Sequence, residues 1–131
     1  FLGLTATPIQ AVDSWDYHAR HEALVVRLIT LDADNEDDCA LFYDTIKPEA
    51  DRLESSYDAL RRQHGDIGAV AHLYTMRSQF PIHRPAIEFM YSNRFDYWYS
   101  FDTHGDNYLL CPVTGKVYPY DAIIARHRQP H

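Results

Sequence analysis

The sequence predicts an α+β domain: an antiparallel sheet of about five to six strands, ending in a C-terminal meander, packed on one long Pro-kinked helix. Three observations predict it. An apolar stripe with helical spacing runs from Cys39 to Leu60, short β-rich runs separated by turn residues fill the chain after residue 69, and neither a repeat nor a low-complexity linker divides the sequence. At 131 residues the chain fits a single domain, 1–131, and at this size folding buries on the order of two-thirds of the unfolded surface, enough for a core without metals or disulfide staples.

The elements follow in order. Leu2-Gly3-Leu4-Thr5-Ala6-Thr7-Pro8 resembles the segment that superfamily-two helicases place after their acidic ATPase motif. That resemblance implies a phosphate loop ending in Gly-Lys-Ser/Thr, but Gly115-Lys116 is followed by Val117 and sits among turn residues. The segment therefore reads as an N-terminal arm or edge strand, with Pro8 holding Thr7 extended. Asp13-Ser14-Trp15-Asp16 supplies a cap and first-turn acid for a short helix over about 14–21. Ala23 to Leu31, aliphatic and β-branched almost throughout, predicts a central strand buried on both faces.

The acidic run Asp32 to Asp38 then opens the long helix. Asn35 or Asp34 is expected to accept its orphan amides, while Asp37 and Asp38 meet the positive end of the dipole. Cys39, Phe42, Tyr43, Ile46, Ala50, Leu53, Tyr57 and Leu60 recur at steps of three and four, in phase through Pro48. Proline removes a donor and crowds the carbonyl of Asp44, which predicts a bend at 44–48. Arg61, Arg62 and His64 complement the C-terminal end, and Gly65 suits a left-handed cap. Strands are predicted at Ala69 to Met76, Pro85 to Tyr91, Phe95 to Phe101, Asn107 to Cys111 and Val117 to Tyr120, the last four as the meander.

Charge narrows the function. The net charge is −7, with 14 acids against six Lys or Arg in the first 66 residues and five against six in the rest. A nucleic-acid binder is expected to carry a basic stripe, so this balance points to a protein partner with a basic surface. No apolar run approaches the ~20 residues of a membrane span. Two cysteines, Cys39 and Cys111, are too few for a disulfide scaffold, and both read as small buried hydrophobes in a reducing, cytoplasmic setting. The chain starts at Phe1, and no basic n-region supports a secretion signal.

Neither a catalytic residue nor a cofactor emerges. As a calcium loop the acidic run fails, because Asp37 stands where the sharp turn needs Gly and Tyr43 where a bidentate Glu belongs. His18, His21 and Glu22 fall within one helical turn, but the zinc-protease signal spaces its histidines by four with Glu beside the first. With eight histidines in the chain, surface histidines are the expected reading and no metal is assigned. There is no nucleophile elbow. Asp37 and Asp38 oppose a thiolate at Cys39, and Glu88, Asp96 and Asp102 earn no acid or base role from spacing alone.

The most informative stretch is Phe95 to Asp102. Alternation sends Phe95, Tyr97, Tyr99 and Phe101 to one face, the expected core face, and Asp96, Trp98, Ser100 and Asp102 to the other. A large ring among acids suits an interface anchor. The expected function is a small acidic, non-enzymatic protein-binding domain, of the inhibitor or immunity type, binding through Asp34, Glu36, Asp37, Asp38, Asp96, Trp98 and Asp102; the likeness to immunity proteins is one of general build. The alternative is a small enzyme or ligand-binding domain with a helix–sheet pocket lined by His72, Tyr74, Tyr97 and Trp98.

Overall fold

In a computed structural model, which describes residues 18–21 and 24–128, the chain is α+β. The polar run at Asp32 to Asp38 caps the helical segment. Asn35 Oδ1 accepts from the Asp38 amide at 3.0 Å, and Glu36, Asp37 and Asp38 fill the first turn of α1 (Glu36–Leu41). A π-helical stretch, Phe42–Ile46, carries the backbone without interruption into α2 (Lys47–Thr75). There the Lys47 amide bonds Phe42 O rather than Tyr43 O. This widened turn lets Pro48 enter the helix without the amide it lacks. The bend expected at 44–48 is not seen; a π turn stands there, and the break in dihedrals comes later.

That break is Gly65, at φ 76° and ψ 173°, a combination essentially confined to glycine. The helix was expected to end there, but it resumes at once, with Asp66 Oδ1 accepting from the Ile67 amide at 3.0 Å. A Cβ at Gly68 would lie 2.7 Å from that of His64, so the two helical pieces close tightly on the small residue. Ala69 to Met76, expected as a strand, forms the last turns of α2 with Met76 as its C-cap. Ala69, Val70 and Leu73 are buried at steps of one, three and four. Pro85 to Tyr91, likewise expected as a strand, lies in α3 (Arg84–Ser92), where Pro85 takes an N-terminal position and Ala86, Ile87 and Met90 point inward. In both stretches apolar content outweighed spacing in the sequence reading.

Among the described residues, the strands form three small antiparallel sheets rather than one. β1 (His18–His21) pairs with β2 (Leu24–Arg27); β3 (Ile29–Thr30), β5 (Tyr108–Leu110) and β6 (Val117–Pro119) pair in the order β3-β5-β6; β4 (Tyr97–Phe101) pairs with β7 (Ile123–His127). The predicted central strand is therefore divided between β2 and β3. Leu28 between them is buried, but Ile29 and Thr30 are exposed. The helix expected at 14–21 is extended where described, as β1, and its first residues, with the arm at 1–8, lie outside the described residues. The C-terminal strands are not a simple meander, because β4 skips β5 to pair with β7. Asn107 Nδ2 bonds Asp102 O at 2.8 Å, and the 3-10 turn Gly105–Asn107 leads the chain away to the other sheet. The turn expected at Pro112 to Lys116 links β5 to β6, with Gly115 at φ 74°.

The largest core joins α2, α3 and the β4-β7 pair through Leu53, Tyr57, Leu73, Ile87, Met90, Tyr99 and Ile123. Smaller clusters lie around Ile46, Tyr108 and Val117, and around Leu28, Leu109 and Cys111. Burial, reinforced by Asp66, pushes the Tyr57 phenol up to about 12. Burial also raises Tyr99 and Tyr108, with Tyr97 and Glu49 respectively as the next causes. In the unfolded chain these phenols ionise near pH ~10. The unfolded state therefore loses protons first, and the stability these groups contribute is complete below about pH 10 and falls as pH rises toward their folded values. Thermal midpoints should be level up to about pH 9 and fall steeply above about pH 10. Phenolate absorbance should leave these three of the ten tyrosines silent until unfolding; titration of all ten in the folded protein would contradict this burial.

Candidate functional site

A cleft lies where the capped start of α1 meets the loop before β5. It is a cavity of about 430 Å³ lined by Leu31, Asp32, Ala33, Asp38, Cys39, Phe42, Tyr43, Gly105 and Asp106. Its shape follows from local chemistry. Asp32 Oδ1 accepts from the Asp34 amide at 2.9 Å, and Asp38 Oδ2 accepts from the Asp32 amide at 2.7 Å, which folds the acidic run into a tight loop. Cys39 Sγ lies 3.1 Å from Ala33 O and is only half-buried, whereas Cys111 is buried; the two are not joined by a disulfide. Phe42 and Tyr43 meet edge to face at 5.1 Å, and Tyr43 is 63% exposed, an unusual degree for a ring on the apolar stripe. The cleft thus presents three carboxylates and two rings, with neither Lys nor Arg in its lining. Such a surface suits a cation on an apolar stem, held by charge and by ring faces.

Behind Phe42 a buried polar chain braces this wall. Glu49 on α2 accepts from the His83 amide (2.9 Å) and meets His83 Nδ1 at 2.6 Å, while its other oxygen accepts from the Ile82 amide at 3.3 Å. His83 Nε2 is 2.7 Å from the Tyr108 hydroxyl. The set closes when His83 donates from Nδ1 to Glu49 and accepts from Tyr108 at Nε2, leaving every member with a partner. Glu49 is 4% exposed and His83 and Tyr108 are fully enclosed, so no solvent route reaches the imidazole. The Tyr108 ring in turn lies 6.3 Å from that of Phe42. The chain ties α2, the start of α3 and β5 together beneath the cleft.

The residues named from sequence are scattered. Asp38 lines the cleft, and Asp34, Glu36 and Asp37 are exposed on the same capping segment. Asp96, Trp98 and Asp102 belong instead to the β4 region. Trp98 stands opposite Arg126 on β7, 39% exposed, with the guanidinium 5.5 Å from its ring. Asp102 Oδ1 lies 3.4 Å from His104 Nε2. The alternative pocket residues are engaged separately: His72 stacks on His64 at 4.2 Å, Tyr74 stacks on Tyr91 at 4.0 Å with Arg77 over its ring, and Tyr97 neighbours His127. His18 and His21 lie on an extended strand rather than a helical turn, and Glu22 falls outside the described residues. Among the described residues, no helix is long and apolar enough to cross a membrane.

Sequence reasoning missed Asp106, Phe42 and Tyr43 as cleft residues. Asp106 arrives from more than 60 residues away in the chain, and no local pattern announces that meeting; Phe42 and Tyr43 carried the signal of a helix core stripe. Compared with protein-family models, curated proteins and solved structures, the chain matches none.

Proposed function

We propose that this chain is a non-enzymatic protein-binding domain of inhibitor or immunity type, which masks a basic partner by taking one of its Lys or Arg side chains into the acidic, aromatic cleft. The observation that supports this reading is the lining itself: Asp32, Asp38 and Asp106 converge on Phe42 and Tyr43 without a compensating cation. The exposed acids Asp34, Glu36 and Asp37 extend the negative field outward and steer the partner, while Trp98, beside Asp96 and Asp102, offers a second, aromatic contact.

The test begins with capture of the partner from the source cell on immobilised protein, alongside a Tyr43→Ala/Asp106→Asn variant. A basic protein should be retained by the first and lost from the second. Association and dissociation rates at two salt concentrations then separate the contributions. Neutralising Asp34, Glu36 and Asp37 should slow association and flatten its salt dependence, whereas Trp98→Ala should speed dissociation and cost at least about 2 kcal/mol of binding. Affinity indifferent to salt and to all these changes, or turnover of a small molecule in the cleft, would overturn the reading.

A further inference from the structure

Two glycines in α2 bring a pair of histidines together. Residues 64 and 72 stand eight apart, which in an unbroken helix separates them by about 12 Å along the axis. Yet the His64 and His72 rings stack, with centroids 4.2 Å apart and planes 25° from parallel. Gly65 makes this possible, because at φ 76° and ψ 173° it takes a backbone turn that glycine adopts and other residues seldom do. Gly68 makes it fit. A Cβ at position 68 would lie 2.7 Å from the Cβ of His64 and 3.8 Å from its Cγ, so the His64 side chain crosses over bare backbone. His72 follows one helical turn beyond Gly68, on the same face.

Both residues are exposed, so core packing does not account for their contact. Other imidazoles are engaged elsewhere: His83 between Glu49 and Tyr108, His104 with Asp102, and His127 against Tyr97. The surroundings of the pair favour a cation. Arg61 and Arg62 both turn to Asp58, at 3.8 and 3.1 Å, and the chain as a whole carries a net charge of −7. Imidazole suits zinc, nickel and copper. With a metal–nitrogen bond of about 2.0 to 2.1 Å, two rings share one ion when their nitrogens come within about 4 Å. In the stack the nitrogen lone pairs run side by side. Turning each exposed ring about its last torsion, a soft one, splays the planes and points one nitrogen of each toward a common centre.

We infer that His64 and His72 form a two-imidazole site for a divalent transition ion, of the zinc, nickel and copper class, which clips the two pieces of α2 together across Gly65. Among the described residues, no group of three His, Cys, Asp or Glu side chains is placed to hold a metal. The remaining positions on the ion are therefore filled by water or by a donor from another molecule. Such a site differs from a closed, four-ligand structural one: its ion exchanges, and it adds stability by mass action on the native chain. The pair shares no residue with the cleft of Asp32, Asp38 and Asp106 and does not rest on that reading.

The test titrates zinc chloride into the untagged full chain by calorimetry, beside His64→Gln, His72→Gln, Gly68→Ala and His104→Gln/His127→Gln variants. Wild type should bind one ion per chain. Each of His64→Gln and His72→Gln should weaken that binding at least tenfold, whereas the His104/His127 double variant should bind as wild type does. Both histidines are exposed, so unfolding curves without metal should scarcely move. Gly68→Ala keeps both imidazoles but displaces His64, and should weaken binding at least threefold while the chain remains folded. Added Ni2+ should broaden the ring resonances of His64 and His72 before those of any other histidine. Saturating zinc should raise the thermal midpoint of wild type and leave that of His72→Gln unchanged. Absence of one-to-one binding, affinity unchanged in either single histidine variant or in Gly68→Ala, or first broadening at another histidine would overturn the inference.

Discussion

Glu49→Ala is expected to lower folding stability by about 3 to 5 kcal/mol, because it removes a buried acceptor shared by several donors, each of which costs about 1 to 3 kcal/mol when left unsatisfied. The carboxylate accepts from the amides of Ile82 and His83 and meets the His83 ring at 2.6 Å. Alanine would therefore strand two backbone donors and an imidazole in a space that water does not enter, and would leave a cavity besides. Urea unfolding followed by circular dichroism should show the midpoint falling at constant slope. Tyr108→Phe makes the comparison sharper, because it keeps the ring and removes only the hydroxyl facing His83 Nε2; about 1 to 3 kcal/mol is expected. If Glu49→Ala changes stability by less than about 1 kcal/mol, a value ordinary for surface changes, the network does not hold these elements together.

Leu53→Ala should cost about 2 to 5 kcal/mol by lost burial and residual cavity. Leu53 is fully enclosed in the cluster that joins α2 to α3 and the β4-β7 pair, among Tyr57, Leu73, Ile87 and Tyr99. Its neighbours on both sides are held by helices, so the site cannot collapse cheaply. A Leu53→Met change, which nearly conserves volume, should cost less than about 1.5 kcal/mol. Equal losses for Ala and Met would show that backbone distortion, not cavity formation, sets the effect.

The helical stripe was legible because its signal is local: Ile46, Ala50, Leu53 and Tyr57 recur at helical steps and all four are buried. The cap was legible for the same reason, since Asn35 bonds an amide only three residues away. In β4, alternation correctly sent Tyr99 inward and left Trp98 half-open, but Phe95, expected on the core face, precedes the strand and is 64% exposed. Ala69 to Met76 and Pro85 to Tyr91 were misread because both are rich in apolar residues, and their spacing of three and four was given less weight than composition. Sheet topology was not legible, since nothing near Phe101 announces that the chain must leave for the other sheet before returning at Ile123. The candidate cleft was half legible. Its acids at 32–38 stand out in the sequence, whereas Asp106 and the brace of Glu49, His83 and Tyr108 depend on pairings across tens of residues.

The short strand β3 has a kinetic consequence. Ile29 pairs with Leu110 and Thr30 with Leu109, so this contact closes a loop of roughly 80 residues, the kind of closure whose entropy must be met before any bond rewards it. The ladder itself spans only two residues whose side chains are exposed, with Leu28 beside them as its one buried anchor against Leu109 and Cys111. The three-stranded sheet should consequently assemble late, on a scaffold of helices already formed from near neighbours, and should be the first part to open in the native state. The Leu110 amide, which faces β3, would then exchange through local detachment of this strand, while the Leu109 amide, which faces β6 in phase with the bond from the Cys111 amide to Lys116 O, waits for a larger unfolding. Because Leu31 both follows β3 and lines the acidic cleft, each detachment would also loosen one wall of that cleft, so occupancy of the cleft and protection of the β3-β5 pairing are thermodynamically linked.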